Sequence, residues 1–151
     1  KNKLEIFLIR GAGLKIMDKN LLSKGGSSDP LMKFELCGET ATSTTKKKDL
    51  NPQWLEYFAL NCEEAGESFK ATMEDYDLAS GNDFMGVVSL SMSTLVDRRV
   101  RRQWFDLMDK GGKAPKESLG KVELALRWRH NPDKVLHLPE QMEADDDLQK
   151  T

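Results

Sequence analysis

No stretch of this chain strings together the ~18 apolar residues that a membrane-spanning helix needs, because charged residues interrupt every hydrophobic run. Histidine occurs only at His130 and His137, and neither has a ligand or acid/base constellation around it. No serine sits in a nucleophile elbow and no glycine-rich phosphate loop occurs, so the usual hydrolytic and nucleotide-dependent chemistries find no machinery here. The chain is therefore not expected to be an enzyme. Cysteine is equally scarce: Cys37 and Cys62 lie 25 residues apart, which is neither a disulfide framework nor a metal-ligand spacing. They read as two reduced thiols in or near the core of a cytoplasmic protein. The formal net charge is only −2 and no basic stripe runs through the sequence, so nucleic acid is not an expected partner.

What is present fits one domain of 151 residues, large enough to bury a core. Strand-like runs recur at 4–10, 31–36, 41–45, 54–60, 69–75, 84–91, 104–107 and 121–128, each bounded by turn residues. In the first, Phe7 and Ile9 break the polar side of the alternation. The last alternates best, with Val122, Leu124, Leu126 and Trp128 on one face and Lys121, Glu123 and Arg127 opposite. Eight short strands without a βαβ pattern predict an all-β sandwich, with at most one short helix between Ser91 and Arg102. Trp54, Trp104 and Trp128 are expected in the core or at its edge. The run begins inside a strand pattern without a methionine, so it reads as a domain excised from a longer protein. Residues 1–130 are expected to form the domain, and 131–151 an acidic, partly disordered extension or linker ending in Glu143-Ala144-Asp145-Asp146-Asp147.

The densest chemical signal is Asp75-Tyr76-Asp77-Leu78-Ala79-Ser80-Gly81-Asn82-Asp83, with Asp18 and Asp29 far upstream at the ends of other strand-like runs. Gathered carboxylates repel one another unless a hard cation neutralises them, and all-oxygen ligand sets select calcium or magnesium. An EF-hand does not account for it, because its positions 5, 6 and 12 fall on Ala79, Ser80 and Gly86, and no flanking helices are predicted.

Four blocks, in order across residues 4–128, resemble the C2 domain family. Ser28-Asp29-Pro30-Leu31-Met32-Lys33 is similar to its Ser-Asp-Pro-Tyr-Val-Lys signature, and Leu50-Asn51-Pro52-Gln53-Trp54-Leu55-Glu56-Tyr57-Phe58 to its Asn-Pro turn and following strand. Asp75-x-Asp77-x5-Asp83-Phe84-Met85-Gly86 resembles the third calcium loop, and Trp104-Phe105-Asp106-Leu107 a strand near the end. The flavour is that of synaptotagmins and conventional protein kinase C. The resemblance implies an eight-stranded antiparallel Greek-key sandwich whose loops at one end hold two or three calcium ions against phospholipid. The closing run Gly120–Leu126 favours the type II, permuted, topology.

Carried over residue by residue, the resemblance implies calcium ligands at Asp18, Asp29, Asp75, Asp77 and Asp83, a hydroxyl from Ser80, and carbonyls of Met17 and Tyr76. Two departures stand out: the first loop is lengthened by Asn20–Lys24, and Leu31 replaces the usual aromatic. Leu21, Leu22 and Leu78 are apolar residues where loops are normally polar, and are expected to touch the bilayer together with Lys46, Lys47 and Lys48. Together these imply calcium-dependent docking of a parent protein onto an anionic, phosphatidylserine-like membrane, cytoplasmic and peripheral, in signalling or membrane trafficking. Two calcium ions would turn the formal −2 into +2. The alternatives are a calcium-independent protein–protein interaction module and the targeting part of a lipid-directed enzyme.

Overall fold

Alternating apolar residues give this chain its strands, and the turns between them bring the strands into two layers. The computed structural model describes residues 2–17, 27–63, 67–95 and 98–129. The expected acidic extension, 131–151, lies outside the described residues. Eight strands form: β1 (Lys3–Ala12), β2 (Pro30–Leu36), β3 (Glu39–Thr42), β4 (Gln53–Asn61), β5 (Ser68–Asp75), β6 (Asp83–Ser91), β7 (Arg101–Asp106) and β8 (Lys121–Arg129). A single 3-10 turn, Met92–Leu95, is the only helical element among the described residues. One sheet has the order β4-β1-β8-β7 and the other β3-β2-β5-β6, and every strand pair is antiparallel. The last strand therefore lies between β1 and β7, as the permuted topology requires. The strand-like run at 41–45 is β3, an edge strand, but it starts and ends earlier, at Glu39 and Thr42.

Inner-face side chains of both sheets interlock into one core. Leu4, Ile6 and Leu8 of β1 and Leu124 and Leu126 of β8 meet Met32 and Phe34 of β2 and Phe69 and Met73 of β5, all fully buried. Phe34 stands at the centre, its ring 5.2 Å from that of Phe58 and 6.0 Å from that of Phe69. Each such side chain contributes about 1.5–3 kcal/mol of burial free energy. Trp54 and Trp128 join this core, but Trp104 does not: Phe105 takes the inward position on β7, and Trp104 lies between the Arg10 guanidinium and the Lys121 ammonium, 5.2 and 4.8 Å from its ring.

The cysteines also depart from expectation. Cys37, just after β2, and Cys62, just after β4, are joined as a disulfide with their Cα atoms 5.5 Å apart. Their distance along the sequence concealed this, because β2 and β4 belong to different sheets that meet only when the sandwich closes. The link ties the two sheets together at one pole.

A β-bulge on β6 puts Gly86 at a φ of +148°, and a Cβ added there would lie 2.6 Å from the Cβ of Leu107. Leu107 is held by the neighbouring bridge between Val87 and Met108, so it has little room to retreat. Gly86→Ala is expected to destabilise the fold by about 1–3 kcal/mol. Urea unfolding measures this, and an unchanged midpoint would contradict the packing described.

Candidate metal and membrane site

Strand direction places three connections at the pole opposite the disulfide. β1 runs up to Ala12 and β2 descends from Pro30; β3 rises to Thr42 and β4 returns from Gln53; β5 rises to Asp75 and β6 returns from Asp83. The described segments 13–17 and 27–29 and the loops 43–52 and 76–82 therefore share one apex, and the 107–120 connection between β7 and β8 joins them from the other sheet.

The aspartates collect there. Asp75 is the cross-strand partner of both Pro30 and Asp83, so its side chain and that of Asp83 share one face with Cβ atoms about 5 Å apart. Asp29 follows the same edge: its amide donates to Asp75 Oδ1 at 2.7 Å, and its carbonyl accepts from the Tyr76 amide at 2.9 Å. Its own Oδ1 accepts from the Lys48 amide at 2.7 Å, which pulls the lysine-bearing turn against it. Asp75 is buried, whereas Asp77 and Asp83 face outward.

Asp77 organises the third loop. Its Oδ1 accepts from the amides of Ala79 and Ser80 at 2.9 and 3.3 Å, and its Oδ2 from the Ser80 hydroxyl at 2.7 Å. The Ser80 hydroxyl first, then these two amides, hold the Asp77 carboxyl below its ordinary range, so it stays ionised. Asn82 closes the loop by accepting from the Asp77 amide at 3.1 Å and donating to Glu74 at 3.3 Å. Leu78 is left at the loop tip with 87% of its surface exposed, and Tyr76 is exposed beside it.

Met17 is fixed by a different device. Its amide donates to the buried Ser28 hydroxyl at 2.8 Å, and that hydroxyl in turn donates to the Lys15 carbonyl at 2.8 Å. Ser28, unremarked as a site residue in the sequence, thus ties the exit of β1 to the residue before Asp29. Asp18, Leu21 and Leu22 lie outside the described residues. So four of the five predicted aspartates come to one apex, with Ser80 on Asp77, Tyr76 between Asp75 and Asp77, and Met17 anchored to the segment that carries Asp29.

The donor set, all carboxylate, hydroxyl and carbonyl oxygen, fits a hard cation such as calcium in kind. Among the described residues, no three acidic, histidine or cysteine side chains close to metal-holding distance. Asp29, Asp77 and Asp83 make no ion pair with a lysine or arginine side chain among the described residues. Among the described residues, the charges of Asp29 and Asp77 are met by backbone amides and a hydroxyl.

Lysines also lie on the apical loops. Lys47 and Lys48 are exposed on the second loop, and Lys46 is half-buried. Sequence reading missed Lys15, Lys110 and Lys113, which line an open groove of about 590 Å³ floored by Met17, Met85 and Leu119. Nothing along the chain joins these lysines; only the return of the 107–120 connection to the apex does. Lys110 stands 5.5 Å above the Phe84 ring. The arginines at 98, 99, 101 and 102 lie instead before and at the start of β7, away from the apical loops.

The C2 domain family model matches residues 2–107. Over 124 residues the chain is 32% identical to Ras GTPase-activating protein 4 of Mus musculus, covering 80% of this chain and 16% of that protein. Over 138 residues it is 33% identical to a multiple C2 and transmembrane domain-containing protein of Drosophila melanogaster, covering 89% of this chain and 14% of that one. The chain thus spans about a sixth of these relatives' lengths. Among solved structures, the calcium-bound pair of C2 domains from extended synaptotagmin 2 superposes with a TM-score of 0.71 at 27% identity, over 85% of this chain and 45% of that one. The first C2 domain of plant extended synaptotagmin 1 has the same TM-score at 23% identity, over 85% and 94% of the two chains, and shares the fold. No helix among the described residues is long and apolar enough to cross a membrane. The strand order, the four sequence blocks and these matches agree: the chain belongs to the C2 domain family, whose members are non-catalytic binding modules.

Proposed function

We propose that this chain docks its parent protein onto anionic phospholipid when calcium is present, itself performing no catalysis. The observation that carries the reading is the convergence of Asp29, Asp75, Asp77 and Asp83 on one pole, around a leucine that nothing covers. Asp18, from the long first loop, is the fifth proposed ligand, and Ser80, Met17 and Tyr76 add neutral oxygens. Calcium, when bound, supplies positive charge at the apex and open positions for lipid phosphate; two or three ions suit this number of carboxylates.

The protein's own residues do the rest. Hydrogen bonds from Ala79 and Ser80 keep Asp77 ionised and hold the third loop in shape before any ion arrives. Without neutralisation the carboxylates repel an anionic surface, which keeps the apex off the membrane. Once they are neutralised, Lys47 and Lys48 add about 1 kcal/mol each near such a surface, and Leu78, with Leu21 and Leu22, enters the headgroup boundary. The switch is electrostatic and needs no rearrangement of the sandwich.

We place this docking at the cytoplasmic face of a membrane, as a peripheral contact preferring phosphatidylserine-like lipid. A reducing compartment opens the Cys37–Cys62 link, which lies at the pole away from the apical loops.

Leu78→Ala tests the apolar part. Its liposome affinity in calcium is expected to fall on the order of tenfold, with calcium binding in solution unchanged by calorimetry. Equal loss of both would mean that Leu78 supports the loop and does not enter the bilayer.

A further inference from the structure

The groove between Lys15, Lys110 and Lys113 is lined by none of the proposed calcium aspartates. Its walls are fixed by the fold. Asp109 Oδ1 accepts from the Gly111 and Lys113 amides at 2.9 Å each, and the Asp109 amide donates to the Lys113 carbonyl at 2.9 Å. Gly112, at a φ of +77°, lets this turn close. The turn carries Lys110 and Lys113, and it leaves the sheet where Val87 and Met108 exchange two backbone hydrogen bonds of 3.0 and 2.9 Å. The floor is continuous with the core: Met85 is buried, and Met17 and Leu119 pack against the core while staying half-buried.

Rim and floor select a ligand of two parts. All three lysines are exposed, and among the described residues none of their ammonium groups pairs with a carboxylate. Lys110 rests instead over the Phe84 ring, and the Asp109 carboxylate beside them is engaged by the amides of its own turn. Ammonium groups suit phosphate as compact point charges, whereas the methionines and the leucine suit hydrocarbon. The volume of about 590 Å³ is that of a small-ligand site. Because one groove holds both surfaces, the ligand's charge must sit directly beside its hydrocarbon. A phosphate monoester on glycerol does this and carries about −1.5 to −2 near neutral pH. An amine-bearing headgroup would bring a further cation among the lysines, and an inositol ring would hold its terminal phosphate away from the glycerol. We propose that the groove takes one phospholipid with a terminal phosphate monoester, its phosphate held by Lys15, Lys110 and Lys113 and its first acyl carbons lying on Met17, Met85 and Leu119. Binding there needs no calcium. On a membrane the groove acts after the neighbouring carboxylates are neutralised, and it chooses among headgroups once the apex has docked; that order rests on the function proposed above.

Titrating the full chain with dihexanoyl phosphatidic acid, kept below its micelle concentration and in chelator, tests this by nuclear magnetic resonance. Saturable shifts are expected at the Met17 and Met85 methyls and at the Lys110 and Lys113 amides. Lys110→Gln with Lys113→Gln should weaken binding on the order of tenfold, with circular dichroism unchanged. Absence of saturable shifts, or undiminished affinity in the folded double variant, would overturn the proposal. Inorganic phosphate binding as tightly would make a free ion the occupant and overturn it too, as would equal affinity for dihexanoyl phosphatidylserine. Because chelator removes calcium from the titration, failure here leaves the calcium-dependent docking standing, and failure of that docking leaves the groove standing.

Discussion

Asp75→Asn combined with Asp77→Asn is expected to remove calcium-dependent liposome binding below detection while leaving the sandwich folded. The amide keeps the shape and the acceptor oxygen that the structure uses. At position 75 an amide oxygen still accepts from the Asp29 amide, and at position 77 it still accepts from Ala79 and Ser80. What disappears is negative charge and a carboxylate that two ions can share. Circular dichroism should therefore match the parent, and its melting temperature should stay within a few degrees. Lipid binding that survives in the folded double variant would remove the third loop from the mechanism. The sign of the pH dependence is also set. Asp77 is held below its ordinary carboxylate value, so its loop contacts persist at neutral and mildly acid pH and weaken only as pH falls through that lowered value.

Glu5→Ala is expected to cost about 3–5 kcal/mol of stability, the usual penalty for removing one partner of a buried ion pair. Glu5 is 1% exposed on the outer face of β1, with Arg127 Nε at 3.5 Å, Arg129 Nε at 3.2 Å, and the Tyr57 hydroxyl donating to it at 2.9 Å. Burial raises the Glu5 carboxyl, with Tyr57 and then the two arginines pulling it back, and burial with the Glu5 contact pushes the Tyr57 phenol up. Alanine removes the carboxylate that lies against both guanidinium groups and accepts from Tyr57. Glu5→Gln keeps an acceptor for Tyr57 and should cost clearly less. Because the folded Glu5 holds its proton above the unfolded value of 4.5, its contribution is full below that pH and declines as pH rises through the folded value. Glu5→Gln should flatten that segment of the stability–pH curve. Urea unfolding checks both variants, and a loss under about 1 kcal/mol for Glu5→Ala would contradict the buried network.

Much of this was legible in the chain because local pattern and tertiary role coincide. The clean alternation of Val122 to Trp128 marked a strand whose inner face is the core, and Asp75 and Asp83 border the short loop that makes them cross-strand partners. Phe7 and Ile9 were visible as a flaw in the β1 alternation; they are the cluster on the sheet's other face. What was not legible depends on closure of the sandwich. The Cys37–Cys62 link, the outward turn of Trp104 between two cations, and the lysines of the 107–120 connection beside the first loop all join residues from different elements. No local spacing encodes such meetings. Ser28 shows the same limit at short range, since its small side chain acts as a bridge only because Lys15 and Met17 come to lie beside it.

Cosedimentation of the unmodified chain with phosphatidylserine-containing liposomes, in calcium and in chelator, tests the central claim most directly. The account predicts that the protein pellets with liposomes in calcium and stays in the supernatant in chelator, with the difference lost on neutral liposomes. Equal pelleting in both, or none in either, would contradict a calcium-switched apex and leave a protein-binding module as the reading of this fold.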